Sequence, residues 1–341
     1  MKLDVNLGVE GKNLKNTDAI ARKADEMGFS GIISSETKHD SFIPLAIAAN
    51  GTENLELLTS VAIAFSRSPM EVAQTAWDIQ NLSDGRFILG LGTQVKPHIV
   101  RRFSMEWSDP AGRLKDYIGA VRAIWESFQS EGPLKYEGEF YKHTLITPFF
   151  NPGPIENPEI PIYIAGVNTR LAKIAGEVCD GFHIHPFHSS EYVEKTVKPA
   201  IKEGAEGAGR SASDIKLATA AFVITGGSEA EISKQREAMR SQTAFYASTP
   251  TYRTVLEAHG WGEVGDKLSG LAREKKWHEM PSHITDEMLA AFAVEAAPDE
   301  IGEALREKYD GIMDRVALYL PFAPGERDDF WRGVVESVQG S

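Results

Sequence analysis

One pattern governs what this chain of 341 residues can become: short apolar runs alternate with amphipathic stretches, and the alternation never pauses for a linker. The strand candidates are Leu3–Val9, Gly31–Ser35, Leu55–Ile63, Phe87–Leu91, Ile160–Ala165, Gly181–Ile184, Ile215–Ile224 and Arg315–Leu320. Each is β-branched or aromatic and bounded by polar, Gly or Pro residues. Helices are predicted at Thr17–Met27, Ile43–Asn50, Pro69–Leu82, Arg113–Phe128, Thr169–Gly176, Glu191–Gly207, Glu229–Phe245 and Arg327–Val338. Ser68-Pro69 is a good helix opening, with a capping hydroxyl and a proline whose missing N–H costs nothing there. Eight such units in a single domain spanning 1–341 predict an α/β fold, a (β/α)8 TIM barrel. The alternative is a doubly wound sheet with an appended helical domain.

Two stretches break the repeat. Residues 130–159 are rich in Pro and Gly, with a short hairpin expected around Tyr136–Leu145. Residues 246–300 are long, mostly helical and carry Tyr252, His259, Trp261, Trp277, His278 and His283. Both read as insertions in loops joining strands to helices, the loops that form the active-site face of a barrel.

Composition narrows the partners. With 36 basic and 49 acidic side chains the formal charge is −13, which argues against nucleic acid as the main partner. The single cysteine, Cys179, excludes an intrachain disulfide and suits a reducing compartment. The N-terminus lacks a signal-peptide pattern and no apolar run approaches the roughly 20 residues a bilayer demands, so a cytoplasmic protein without membrane association is expected.

The polar residues fall at strand ends. In GFSGIISSETKHDSF (28–42), Glu36, His39 and Asp40 follow the second strand. A histidine between carboxylates can exchange protons near neutral pH; the plainer reading is that Asp40 caps the next helix and Glu36 pairs with a surface cation. In GRFILGLGTQVKPHIVRRFSMEW (85–107), Gly90 and Gly92 would let a flat ring approach the backbone, with Gln94 and His98 pointing from the loop; the alternative is a tight turn with a polar loop. This is not the dinucleotide fingerprint, because the third glycine is missing and Pro97 stands where the helix should run. In PIYIAGVNTRLAKIAGEVCDGFHIH (161–185), Ala165, Gly166, Val167 and Asn168 lead straight into a helix whose first amides can hold a phosphate. His183, His185 and His188 invite comparison with metal ligands, but no carboxylate is spaced to complete a cluster, so no metal is expected and a polar contact with a phosphate or hydroxyl is preferred.

Taken in this order, with SETKHDSFIPLAIAA (35–49), GRFILGLGTQVKPHIVRRF (85–103), STPTYRTVLEAHGW (248–261) and Asp180-Gly181, the chain resembles the bacterial luciferase-like superfamily over nearly its whole length, and within it the coenzyme F420-dependent branch. The resemblance implies a deazaflavin or flavin ring across the barrel mouth, backed by a non-prolyl cis peptide at Ser60–Val61. Cofactor contacts are then expected from Asp40, Ser60, Val61, Gly92, Thr93, Gln94, Ala165–Asn168, His185 and His188. His39 becomes the candidate acid–base, with Glu36 holding its tautomer or contacting the cofactor; His98, Tyr252 and Trp261 would meet the substrate. The branch's sugar-phosphate dehydrogenases carry a glutamate and a histidine where this chain has Val95 and Thr37, so their acid–base pair does not carry over. The resemblance thus implies hydride transfer between F420 and a small organic molecule. Its rivals are an FMN-dependent monooxygenase of the same fold, which lacks the acidic tail that Lys96, Arg101, Arg102 and Arg253 would receive, and a non-catalytic flavin-binding protein. A homodimer is expected, with the Pro69–Leu82 helix, bearing Trp77 and Ile79, as a contributor.

Overall fold

The protein is described by a computed structural model covering residues 1–7 and 14–340. Eight parallel strands form its centre: β1 (Lys2–Asn6), β2 (Gly31–Ser34), β3 (Glu56–Thr59), β4 (Phe87–Gly92), β5 (Ile162–Gly166), β6 (Gly181–Ile184), β7 (Lys216–Ile224) and β8 (Arg315–Pro321). Each pairs with the next, and β8 pairs with both β7 and β1, so the sheet closes into a barrel. The expected strand Leu3–Val9 ends earlier, at Asn6; Val9 lies outside the described residues. The third expected strand is broken at Ser60–Val61, and Ala62–Ile63 resumes pairing beside β4.

The helices α1 (Thr17–Glu26), α2 (Phe42–Gly51), α3 (Pro69–Leu82), α4 (Pro110–Ser130), α5 (Thr169–Val178), α6 (Lys198–Gly207), α7 (Ile301–Tyr309) and α8 (Asp328–Gln339) follow the strands in order. Their apolar stripes explain the wrapping. In α4, for example, Leu114, Tyr117, Ile118, Val121, Ile124 and Phe128 are buried at helical spacing. Ser68 caps α3 by accepting from the Glu71 amide, and Asp109 caps α4 by accepting from that of Gly112. Trp77 and Ile79 of α3 are buried, the indole donating to the Gly153 carbonyl at 3.2 Å and packing on Phe128, so they offer no surface to a second copy.

Two expectations are corrected. The helix Glu229–Ala247 does not close the seventh unit; only Thr243, Ala244 and Ala247 of it are buried, too little to seat it on the barrel. That role falls to α7, and everything between β7 and α7 is one strand-to-helix insertion. Residues 131–161, by contrast, join α4 to β5, a helix-to-strand connection. Their hairpin, Tyr136–Glu137 against Lys142–His143, climbs beside α4, where Asp116 accepts from the Tyr136 hydroxyl and from the amides of Phe140 and Tyr141.

Inside the barrel, side chains stack in layers. At the bottom the guanidinium of Arg315, 3% exposed, forks onto Asp4 at 2.6 and 2.7 Å and reaches Glu56 at 3.0 Å. Above it lie Ile33, Leu58, Ile88, Tyr163, Ala218 and Ala317. These layers seal the lower end, so a ligand can enter only where the strands finish. No helix among the described residues is long and apolar enough to cross a membrane.

Candidate active site at the barrel mouth

On the β2–β4 side, the peptide bond Ser60–Val61 is cis. The Ser35 hydroxyl donates to the Ser60 carbonyl at 2.8 Å, and the Glu36 amide to that of Val61 at 3.3 Å. A Cβ on Gly92 would lie 2.6 Å from Cγ2 of Val61, so the absent side chain is what lets that valine lie over β4.

The carboxylate of Glu36 accepts from the Ile63 amide at 2.7 Å and from the Arg67 guanidinium at 2.7 and 2.9 Å. Arg67 also holds Asp40, whose other oxygen accepts from the Phe42 and Ile43 amides at 2.7 and 3.0 Å. Asp40 therefore opens α2, as its plainer reading had it. Glu36 does pair with a cation, but a largely buried one: the two side chains are 5% and 15% exposed. Its partner is Arg67 and not His39, which stands exposed on the loop between them. Arg67 lies 27 residues beyond Asp40 and carries no motif, so no local pattern marks it.

Beyond β4, Gln94 adopts φ +56°, and its side-chain oxygen accepts from the Val95 amide while the Thr93 hydroxyl donates to its carbonyl. His98 is exposed and begins a π-helical turn, His98–Arg102, of a kind frequent at functional sites. Arg102 reaches across to the Thr37 carbonyl and so ties this loop to the one after β2.

After the neighbouring strand β5, Asn168 caps α5 by accepting from the Leu171 amide at 3.1 Å. A Cβ on Gly166 would meet Leu171 and the Phe182 ring at 2.9–3.0 Å, which fixes the close approach of this loop to its helix. Arg170 beside it is paired with Asp109 at 2.6 Å.

The three histidines of β6 and its loop diverge. His183 turns into the barrel against Tyr163, its Nε2 buried without a partner. His188 is buried with its ring 5.7 Å from Tyr309, its Nδ1 2.9 Å from the His185 carbonyl, an acceptor only; this side chain packs into the interior. His185 accepts from the Phe187 amide at Nδ1, 3.1 Å, which leaves its proton on Nε2 as a donor. Its ring sits between those of Tyr246 and Tyr252, at 4.6 and 4.7 Å. Burial pushes His185 down to about 3, with His188 adding to the effect, so it is neutral at physiological pH.

Tyr252 thus packs on His185, in the loop that follows β6. Trp261 does not wall the mouth: its indole stacks on His259 at 4.4 Å and packs on Phe292 within the insertion. Tyr246 and Tyr319, whose hydroxyls are 3.3 Å apart, carry no sequence signal, because each sits in an element whose packing only the fold reveals. The insertion is latched to the barrel. The Tyr192 hydroxyl donates to the Val167 carbonyl at 2.7 Å and lies 3.1 Å from that of Thr254. His259 meets the Ser189 hydroxyl at 2.7 Å and Glu191 at 3.4 Å. Arg253 pairs with Asp266 inside the insertion, which removes it from any groove at the mouth.

A family model described as luciferase-like monooxygenase matches residues 2–315. An uncharacterised protein of Mycobacterium tuberculosis is 44% identical over 303 residues, covering 87% of this chain and 89% of its own. The 5,10-methylenetetrahydromethanopterin reductase of Archaeoglobus fulgidus is 27% identical over 312 residues, 89% of each. Among solved structures, the coenzyme F420-dependent tetrahydromethanopterin reductase of Methanopyrus kandleri superposes with TM-score 0.76 at 20% identity, covering 99% of this chain and 97% of the other. A type II Baeyer-Villiger monooxygenase from Pseudomonas putida in complex with FMN superposes with TM-score 0.68 at 14% identity, covering 100% and 99%.

Proposed function

The chain belongs to the luciferase-like monooxygenase family, and from that membership we propose that it transfers a hydride between coenzyme F420 and a small organic substrate at the barrel mouth. One observation carries the reading: a cradle without side chains at Gly92, floored by Val61, stands at the end of β4 beside the capped N-terminus of α5, which follows the neighbouring strand β5. The first suits a flat ring, the second an anionic stem. The cofactor would supply the hydride.

The chain's own residues do the rest. Ser60, Val61 and Gly92 bear the ring, and the backbone at Ala165–Asn168 receives the phosphate. Arg67 fixes Glu36 and Asp40, and with them the loop that carries His39. We assign His39 the proton that accompanies the hydride. A relative from Mycobacterium tuberculosis named as a putative coenzyme F420-dependent oxidoreductase, 28% identical over 305 residues, favours F420, as do Lys96 and Arg101, exposed on the rim where an acidic tail would leave. The FMN-bound neighbour keeps a flavin monooxygenase as the second reading.

Titrating the protein with F420 and with FMN while recording 300–500 nm spectra tests this. F420 should be perturbed, and a His39→Gln variant should bind it normally yet turn over about 10²-fold more slowly. A response to FMN alone transfers the case to the monooxygenase; silence with both overturns either redox reading.

A further inference from the structure

We infer that the substrate of this site is an uncharged, flat, apolar molecule, held against an aromatic wall that the insertion and the ends of β6–β8 build together. This rests on the redox reading above and goes beyond it by naming the class of molecule admitted.

The wall comes from distant parts of the chain. Tyr246 and Tyr252 of the insertion flank His185 after β6; Tyr246 packs on Phe222 of β7 at 6.1 Å and 17°, and Phe222 meets Tyr319 of β8 at 5.2 Å. Further out, Phe245 and Trp277, 50% and 49% exposed, lie 6.1 Å apart and extend the same apolar surface into solvent. Exposed aromatics continuous with a half-buried cluster are unusual unless something binds there. Ring faces and edges of this kind favour a planar partner. The polar atoms the wall offers are phenol hydroxyls, the Tyr246–Tyr319 pair, and the Nε2–H of His185. These can donate to a carbonyl or hydroxyl without charge compensation.

Three arginines of the insertion are already committed to carboxylates. Arg236 is held by Glu295 and Glu229, Arg240 by Asp286 and Glu237, and Arg253 by Asp266. The Lys308 ammonium is half-buried and donates to the carbonyls of Ala290, Ala291 and Ala293 at 3.1, 3.0 and 2.9 Å. Residues 225–300 carry thirteen acidic against eight basic side chains, so the insertion also repels an approaching anion. A carboxylate or phosphate placed against these rings would lose its hydration without gaining any of those committed cations. The phosphate-receiving amides lie at the start of α5, the end of the site assigned to the cofactor stem.

A charge-matched pair tests this directly. Protein loaded with whichever cofactor the spectral titration selects is titrated calorimetrically with 2-acetylnaphthalene and with 2-naphthoate. The neutral ketone should bind at least tenfold more tightly. Tyr252→Ala and Tyr246→Ala should each weaken it about tenfold while changing the cofactor dissociation constant less than threefold, and Tyr252→Phe should retain it. Equal or tighter binding of naphthoate overturns the inference, as does ketone affinity that is indifferent to both alanine variants when circular dichroism shows them folded. If neither cofactor binds, the redox reading falls separately. The same pair titrated into the free protein then decides the wall's preference, a tenfold advantage for the ketone upholding it and none overturning it.

Discussion

At the scale of single residues, Arg67 does more than any group the motifs suggested. Its guanidinium satisfies two carboxylates from the loop after β2, and one of those, Glu36, is 5% exposed and also holds the Ile63 amide. Removing the cation leaves a buried carboxylate unpaired, which is far costlier than losing an exposed ion pair. Arg67→Met is expected to lower stability by about 3 kcal/mol in urea unfolding, and Glu36→Gln in that background should recover part of the loss. A midpoint unchanged by the single substitution would show that the pair is not holding the loop. Sequence proximity places Glu36, His39 and Asp40 on one loop, but that both carboxylates are tied up was set by Arg67, a residue on the far side of β3.

At the scale of elements, helix termini and the insertion divide the work. The cap on α5 leaves the first amides of that helix to a ligand while Asn168 takes the Leu171 amide. Asn168→Ala should therefore cost about 1 kcal/mol of stability. It should also weaken FMN or F420 more than the corresponding ring system lacking phosphate, riboflavin or its deaza analogue, in parallel titrations. Equal weakening of both would place the phosphate elsewhere. The insertion was half legible: its aromatic residues marked it, but Glu229–Ala247 looked like a barrel helix because composition and length are all a sequence shows of it. Its lack of a buried stripe, and the caps that Lys308 provides to the carbonyls ending Asp286–Phe292, emerged only with the fold.

At the scale of the whole molecule, three neutral histidines packed around β6 link stability to acidity. Burial holds His183 and His185 at about 3 and His188 at about 4, below the ordinary value near 6.5. Once unfolded, each takes up a proton at a higher pH than it would in the native state. Stability is thus intact above about pH 6.5 and falls as pH drops from there toward 4, with a slope approaching three protons from these groups. Urea midpoints measured across that range check the trend, and His188→Gln should flatten the slope by about one proton; an unaltered slope would refute the assignment. By itself the sequence determined the barrel, because the alternation of strand and helix is a local signal written in every unit, and it determined the family's loops, because Gly92, Gly166 and Asn168 answer to backbone geometry close at hand. The tertiary structure alone decided which carboxylate meets which cation, which histidine reaches the mouth and which aromatics face it. Those outcomes depend on side chains brought together from strands far apart in the chain, and no local pattern records such a meeting.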